Sequence, residues 1–260
     1  MILNKKIGII GCGNMGEAIF SRLAQVMEKS TNLMVSEMDS VRRDAIQAKY
    51  KIIVEIDNNY LVKYCDVIIL AIKPKDFEKA LSQEICCGIS PDKLLVSIAA
   101  GITTKHIELV VGKEIPVIRV MPNMPAVIGE AISSISAGSS ATEEHVNMAR
   151  DIFSMIGAVV EVEENMVDAV TAISGSGPAY FFYFIENLIE AAKSLKLDSD
   201  TARELVIKTA LGSAKLLDQS REDPGLLRRK VTSKGGTTEA AIEVFDRKKL
   251  KEIIRSATEA

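Results

Sequence analysis

Two short stretches bring together residue types whose spacing can do chemistry. The first is Gly11-Cys12-Gly13-Asn14-Met15-Gly16. It follows the apolar run Ile7 to Ile10, which reads as a short buried strand, and precedes an apolar-periodic segment from Met15 to Met27, which reads as a helix. In such a strand–turn–helix unit the first glycine makes the tight turn, the second lets the backbone approach a pyrophosphate, and the third lets helix and strand pack closely. The amides and positive dipole end at the helix start would hold the phosphates. This context predicts a dinucleotide site formed by residues 11–16. The second stretch is Thr232-Ser233-Lys234-Gly235-Gly236-Thr237-Thr238. Two glycines expose consecutive N–H groups, hydroxyls surround them, and a helix begins at about Thr237, so its positive end points into the loop. That pattern predicts a carboxylate held without an arginine; an ordinary helix cap is the alternative. A dinucleotide in one half and a small acid in the other predict hydride transfer at a cleft between them.

The elements that must position these groups alternate. Leu33 to Glu37 reads as the second strand. Glu37 lies about 20 residues beyond Gly16, where an acidic group commonly accepts hydrogen bonds from the adenosine ribose. Alone it favours NAD over NADP, whereas Ser36, Arg42 and Arg43 leave room for the opposite answer; a solvated strand end is the bland reading. Ile52 to Val54 reads as a third strand, and Asn58 and Asn59 begin a short helix. Val67 to Ile72 is unbroken apolar sequence, suited to a parallel sheet covered on both faces. It ends at Lys73-Pro74, where the proline places Lys73 in a loop at the strand's carboxyl end, facing a ligand or solvent. Phe77 to Cys87 reads as a helix. Leu94 to Ile98 reads as a strand ending in Ala99-Ala100-Gly101, small residues that suit a nicotinamide ledge. Thr103 caps a helix through Val111. Val117 to Val120 is a strand followed by Met121-Pro122-Asn123-Met124-Pro125, a rigid loop offering Asn123 as a polar contact. Ala131 to Ala137, a helix from Thr142 to Ile156 and Val159 to Val162 close the sheet. This half predicts a doubly wound α/β domain of the Rossmann type.

Composition changes near Glu161, which predicts a dinucleotide-binding domain over 1–161 and an all-helical domain over 162–260. A helix starting at Glu164 meets Ser174-Gly175-Ser176-Gly177-Pro178, a break or kink rather than a linker, because strong helix formers flank it. Asp198 or Ser199 caps a helix through Leu217, Pro224 sits in the first turn of a short helix reaching Val231, and the stripe Ala241, Ile242, Phe245 opens a final pair.

Bulk properties exclude several classes. The chain has 260 residues, 47% of them hydrophobic, and a net charge of −3, which gives no footprint for nucleic acid or a membrane surface. Lys5 and Lys6 interrupt the N-terminus, so no secretory leader is read, and no run approaches the ~18 apolar residues of a membrane helix. The cysteines Cys12, Cys65, Cys86 and Cys87 lack metal or C-x-x-C spacing and read as reduced thiols of a cytoplasmic protein. His106 and His145 read as surface residues, and no metal site is predicted. The helical half is short and apolar on several faces, which predicts intimate packing between two copies.

Over essentially its whole length the chain resembles the delta-1-pyrroline-5-carboxylate reductases. The resemblance rests on GIIGCGNMGEAI, AIKP, VSIAAGIT, RVMPNMPA, AVTAISGSGPAYFF and, most diagnostic, LLRRKVTSKGGTTEAAIEVFD at Leu226 to Asp246. It implies reduction of 1-pyrroline-5-carboxylate to L-proline with NADPH or NADH, the last step of proline synthesis, and dimers through the helical domain, often assembled into decamers. It implies that Gly11 to Gly16 hold the pyrophosphate, Ser36 and Asn58 the adenosine side, and Ala71, Lys73 and Ala99 the nicotinamide side. Ser233, Gly235, Gly236 and Thr237 match the substrate-carboxylate loop, Thr238 the hydroxyl at the ring nitrogen, and Glu164 an acidic residue near that pocket. Lys230, Asp223 and Glu37 depart from the commoner pattern, the last in a way that bears on coenzyme choice. Two other classes compete. A β-hydroxyacid dehydrogenase would need a lysine and an asparagine on one interdomain helix, but Asn187 and Lys193 stand in the wrong order. A dinucleotide-sensing regulator would bind coenzyme without turnover.

Overall fold

A computed structural model describes residues 4–27 and 32–260. The chain divides into two compact units, one running through Pro178 and the other spanning Ala179–Ala260.

The first unit is built on one seven-stranded sheet of order β2-β1-β3-β4-β5-β6-β7. The strands are β1 (Ile7–Ile10), β2 (Leu33–Ser36), β3 (Val67–Leu70), β4 (Leu94–Ser97), β5 (Val117–Met121), β6 (Ala131–Ala137) and β7 (Gly157–Glu161). The first five pair in parallel; β6 meets β5 antiparallel and β7 continues parallel to β6. The helices of this unit are α1 (Asn14–Val26), α2 (Ser40–Tyr50), α3 (Asn58–Tyr64), α4 (Phe77–Ala80), α5 (Gln83–Gly88), α6 (Thr104–Val111), α7 (Glu143–Ser154) and α8 (Val167–Val170).

Alternation along the strands decides which helix covers which face. Val67 and Ile69 of β3 join one core with Ile19, Phe20 and Leu23 of α1 and Ile152 and Phe153 of α7. Ile68 and Leu70 point the other way, into a second core with Leu61 and Val62 of α3, Ile85 of α5 and Ile107 of α6. A strand buried on both sides favours apolar residues at every position, as VIIL shows.

Two expected elements differ. No strand forms at 52–54. Only Glu55 reaches the sheet, through a single parallel bridge to Ser36, with Glu55 N–H donating to the Val35 carbonyl at 2.8 Å. Ile53 and Ile56 are largely exposed while Val54 between them is buried in the core, so the segment packs against the unit without extending the pairing. The helix expected over 77–87 is two, because Leu81, with ψ near 54°, leaves helical geometry between α4 and α5.

The composition change at 161/162 and the division of contacts at 178/179 bracket a segment held to the sheet by side chains. Glu164 accepts from the Thr104 N–H and hydroxyl, both at 2.7 Å, and the Asn123 amide donates to the Ser174 carbonyl at 3.1 Å. Here a 3-10 turn (Glu164–Met166) leads through α8 to a π turn at Thr171–Gly175, closed by Ser176 N–H on the Thr171 carbonyl at 2.8 Å. The kink expected at the Ser-Gly-Ser-Gly-Pro run is this widened turn, a common local defect at functional sites.

Next come α9 (Gly177–Ser194), α10 (Ser199–Ser220), α11 (Pro224–Lys230), α12 (Thr237–Arg247) and α13 (Leu250–Glu259). Of the 22 residues of α10 only Ala202 and Val206 are buried. Phe181, Phe182, Tyr183 and Phe184 of α9 are all exposed in the single chain.

Gly8 in β1 offers a test of how tightly the sheet is covered. A Cβ there would lie 2.2 Å from Leu61 Cδ2 and 2.8 Å from Cys65 Sγ. We expect Gly8→Ala to lower stability by about 1–3 kcal/mol through overpacking. Adding Leu61→Ala should cost less in that background than in the parent protein, because the two sites share one space. Thermal melts of the two single variants and the double variant check this; strict additivity would contradict it.

Candidate active site

The glycine turn is shaped by contacts that leave no room for side chains. Gly11 has φ of 90°, in the region that favours glycine, and a Cβ there would strike the Ala71 carbonyl at 2.6 Å. A Cβ on Gly16 would lie 2.2 Å from the Gly11 carbonyl, so α1 can seat on the turn only with glycine there. Gly13 is different: a Cβ would meet nothing within 4 Å. The protein itself does not require a glycine there. The open space is where a pyrophosphate would come close to the backbone, so the cradle fits a dinucleotide.

The donors agree. Gly13 is the N-cap of α1 with no side-chain cap, and its carbonyl accepts from Glu17 N–H at 2.8 Å. The amides of Gly13, Asn14, Met15 and Gly16 have no acceptor among the described residues. Cys12 stands apart from them. Its N–H donates to Glu37 Oε2 at 2.7 Å and its carbonyl accepts from Arg42 Nε at 2.8 Å, so neither is left for a ligand. Its thiol is buried in the core; burial, then the nearby Glu17 carboxylate, push it up to about 12, which keeps it protonated.

Around the turn lies a charged web. Arg42 pairs with Glu17, which also accepts from Lys49 at 2.7 Å and from the Tyr50 hydroxyl at 2.9 Å. Burial opposes the charge on Glu17, but the hydrogen bonds from Lys49 and Tyr50 and the charge of Arg42 outweigh it and hold the carboxyl below its ordinary range.

The remaining sequence-predicted cofactor residues gather at the same carboxyl edge of the sheet. Ser36 and Asn58 are both buried and face one another, Ser36 Oγ donating to Asn58 Oδ1 at 2.6 Å. Glu37 follows β2 directly. Ala71 continues β3, its N–H on the Ile10 carbonyl at 2.8 Å, beside Gly11 and Gly16. Lys73 is exposed and extended before Pro74, as the proline dictates. Ala99 is buried just past β4, its N–H donating to Ser97 Oγ at 3.3 Å. Asn123, expected as a ligand contact, has its amide engaged inside the protein: Oδ1 accepts from Ile132 N–H at 3.0 Å while the nitrogen holds Ser174.

Glu164 sits in this unit too. Besides Thr104 it faces Arg119, with Nη1 at 3.4 Å, and Arg119 Nη2 lies 3.8 Å from Asp168. Arg119 was not singled out from sequence, though an arginine inside the apolar strand VIRVM is a signal, because a buried guanidinium needs a partner.

Ser233, Gly235, Gly236, Thr237 and Thr238 lie in the second unit, at the start of α12. Gly235 has φ of 72°, and Gly236 is an N-cap without a side-chain cap. The Thr237, Thr238 and Glu239 amides have no acceptor among the described residues. The Gly235 N–H is taken by Glu239 Oε2 at 2.6 Å, a contact the sequence reading missed although a glutamate three residues into a helix often reaches back this way. The arrangement has the backbone form of a nest, with one donor already filled by Glu239. Among the described residues no group of three or more His, Cys, Asp or Glu could hold a metal, and no helix is long and apolar enough to cross a membrane.

A family model for pyrroline-5-carboxylate reductase dimerisation matches residues 164–260, and one for NADP oxidoreductase, coenzyme F420-dependent, matches residues 6–101. A pyrroline-5-carboxylate reductase of Synechocystis sp. is 37% identical, covering 98% of this chain and 95% of that protein. The solved structure of a pyrroline-5-carboxylate reductase from Coxiella burnetii superposes with a TM-score of 0.89 at 32% identity, over 98% of this chain and 95% of that one. The Plasmodium falciparum pyrroline carboxylate reductase, solved with NADP bound, gives 0.87 at 30% identity over the same shares. With relatives this similar along both of its units, the chain belongs to the pyrroline-5-carboxylate reductase family.

Proposed function

We propose that this chain reduces 1-pyrroline-5-carboxylate to L-proline with NADPH or NADH, the last step of proline synthesis. The observation that carries this reading is similarity to reductases of that name along both units. We assign residues 1–161 to the coenzyme and 162–260 to substrate and dimerisation. When bound, a reduced nicotinamide supplies a hydride from C4 to the imine carbon, and the ring nitrogen keeps its proton as C=N becomes C–NH.

The protein's share is binding, alignment and exclusion of water. The amides of Gly13 to Gly16 hold the pyrophosphate, with Ser36, Glu37 and Asn58 on the adenosine side. Ala71, Lys73, Pro74 and Ala99 border the nicotinamide. Ser233, Gly235, Gly236 and Thr237 hold the substrate carboxylate, and the Thr238 hydroxyl steadies the developing amine. Glu164 borders the substrate, its carboxylate aligned by Thr104 and Arg119. A protonated imine is already electrophilic, so none of these residues need act as a strong acid.

The chain works as a homo-oligomer through its helical unit, whose exposed α9 aromatics and scarcely buried α10 call for a second copy. A dimer, assembled further into a decamer in the cytoplasm, is the form we propose.

Three results test this. Adding pyrroline-5-carboxylate to enzyme and NADPH should make the coenzyme absorbance fall; binding without turnover would identify a regulator instead. Thr238→Ala should lower kcat by about 10–10³-fold, as loss of one positioned polar group does; unchanged steady-state kinetics would remove Thr238 from the mechanism. Replacing both Phe181 and Phe184 by Asp should reduce the particle mass measured by light scattering, and an unchanged mass would place the interface elsewhere.

A further inference from the structure

The way Glu37 and Arg42 are held bears on which coenzyme the site accepts, an inference that rests on the dinucleotide reading above. Glu37 leaves β2 at the carboxyl edge of the sheet, where an acidic group faces the ribose 2′ position of a bound dinucleotide. Its carboxylate is fixed at both oxygens. Oε2 accepts from the Cys12 N–H at 2.7 Å and Oε1 from the Asp39 N–H at 3.0 Å. Its main chain is pinned as well, N–H to the Glu55 carbonyl at 3.0 Å and carbonyl to Arg43 Nη1 at 3.2 Å. The carboxylate cannot swing away from the glycine turn without leaving two amides unpaired.

A 2′-hydroxyl can donate to such a carboxylate. A 2′-phosphate is largely deprotonated and carries a like charge of about −1.5 to −2. Sites that accept the phosphate usually turn an arginine toward it. Arg42 lies beside the glycine turn, but its Nε donates to the Cys12 carbonyl at 2.8 Å and its Nη2 to Glu17. Glu17 is itself held by Lys49 and Tyr50, so the pair is not readily opened. Arg43, the other arginine of α2, donates from Nη1 to the carbonyl of Glu37 itself.

We propose that Glu37, fixed by the Cys12 and Asp39 amides while Glu17 retains Arg42, makes this protein prefer NADH to NADPH. The test is calorimetric titration of the full-length protein, without substrate, with NADH and with NADPH. NADH should bind at least about tenfold more tightly, and the gap should narrow as salt screens the carboxylate. Glu37→Gln keeps the size and one acceptor but removes the charge; it should tighten NADPH about tenfold. Glu17→Gln, which frees Arg42, should also tighten NADPH. Equal affinities in the parent protein, or tighter binding of NADPH, would overturn the proposal whatever the variants do. So would a Glu37→Gln protein that melts normally and binds NADPH no better. If neither coenzyme binds the parent protein, the dinucleotide site fails and this inference fails with it.

Discussion

The contact between Gly16 and the Gly11 carbonyl is the constraint on which the first unit's chemistry depends. A Cβ on Gly16 would lie 2.2 Å from that oxygen, so the first turn of α1 sits directly on the end of β1. That closeness brings together four amides that have no acceptor among the described residues and aims the helix dipole at the same point. The turn is then held from the side. Glu37, leaving β2, accepts from Cys12, and Arg42, from α2, donates to the carbonyl of the same residue. Three successive elements thus meet at one residue. Its N–H and its carbonyl are both satisfied by side chains, which leaves the following amides as the free ones.

The parallel order of β1 to β5 brings their carboxyl ends to one edge, and the reversal at β6 decides how the chain leaves it. Past β7 the chain returns to that edge through Glu164, whose carboxylate meets the first amide and hydroxyl of α6. Arg119, with only 5% of its side chain exposed, lies behind it. A buried guanidinium without a carboxylate is costly, so Arg119 and Glu164 hold each other in place. Glu164 therefore anchors the helical segment to the sheet, and a residue fixed by three donors is well suited to present the same carboxylate to a pocket without moving.

Much of this was legible in the sequence, for physical reasons that differ from residue to residue. The strand VIIL and the glycine turn were readable because full burial and steric exclusion each admit few residue types. The helix starts at Thr103, Asp198 and Pro224 were readable because capping chemistry is local. The strand at 52–54 was misread because local propensity says nothing about an absent neighbour on a sheet edge. Asn123 looked like a ligand contact because its loop is rigid and polar, but its partners Ile132 and Ser174 are distant in sequence. Arg42 looked free to meet a phosphate for the same reason: Glu17 lies 25 residues earlier. Local rules place the groups, and long-range pairing decides which of them remain available.

The two proposed binding loops share one device, and the rest of the chain shows that it is selective. Helices α2, α3, α10 and α11 begin at aspartates that accept from their own first turn, and α6 begins at a threonine that does the same. The helices at the two loops, α1 and α12, begin instead at Gly13 and Gly236, both extended and without a side-chain cap. The short α4 and α5 are also uncapped, as is α13, so a missing cap alone does not mark a site. What sets α1 and α12 apart is their conjunction of a glycine N-cap, a preceding glycine in the left-handed region and a row of unpaired amides. Glycine at an N-cap costs only a few tenths of a kcal/mol relative to a capping side chain, whereas an aspartate there would fill the anion's place with its own carboxylate. Glu239 shows the effect in miniature by occupying the Gly235 amide, and the donors beyond it stay open because no side chain of the loop folds back over them. An anion-binding helix start is thus a helix start that omits its own cap, and this chain omits it where a phosphate or a carboxylate would take the cap's place.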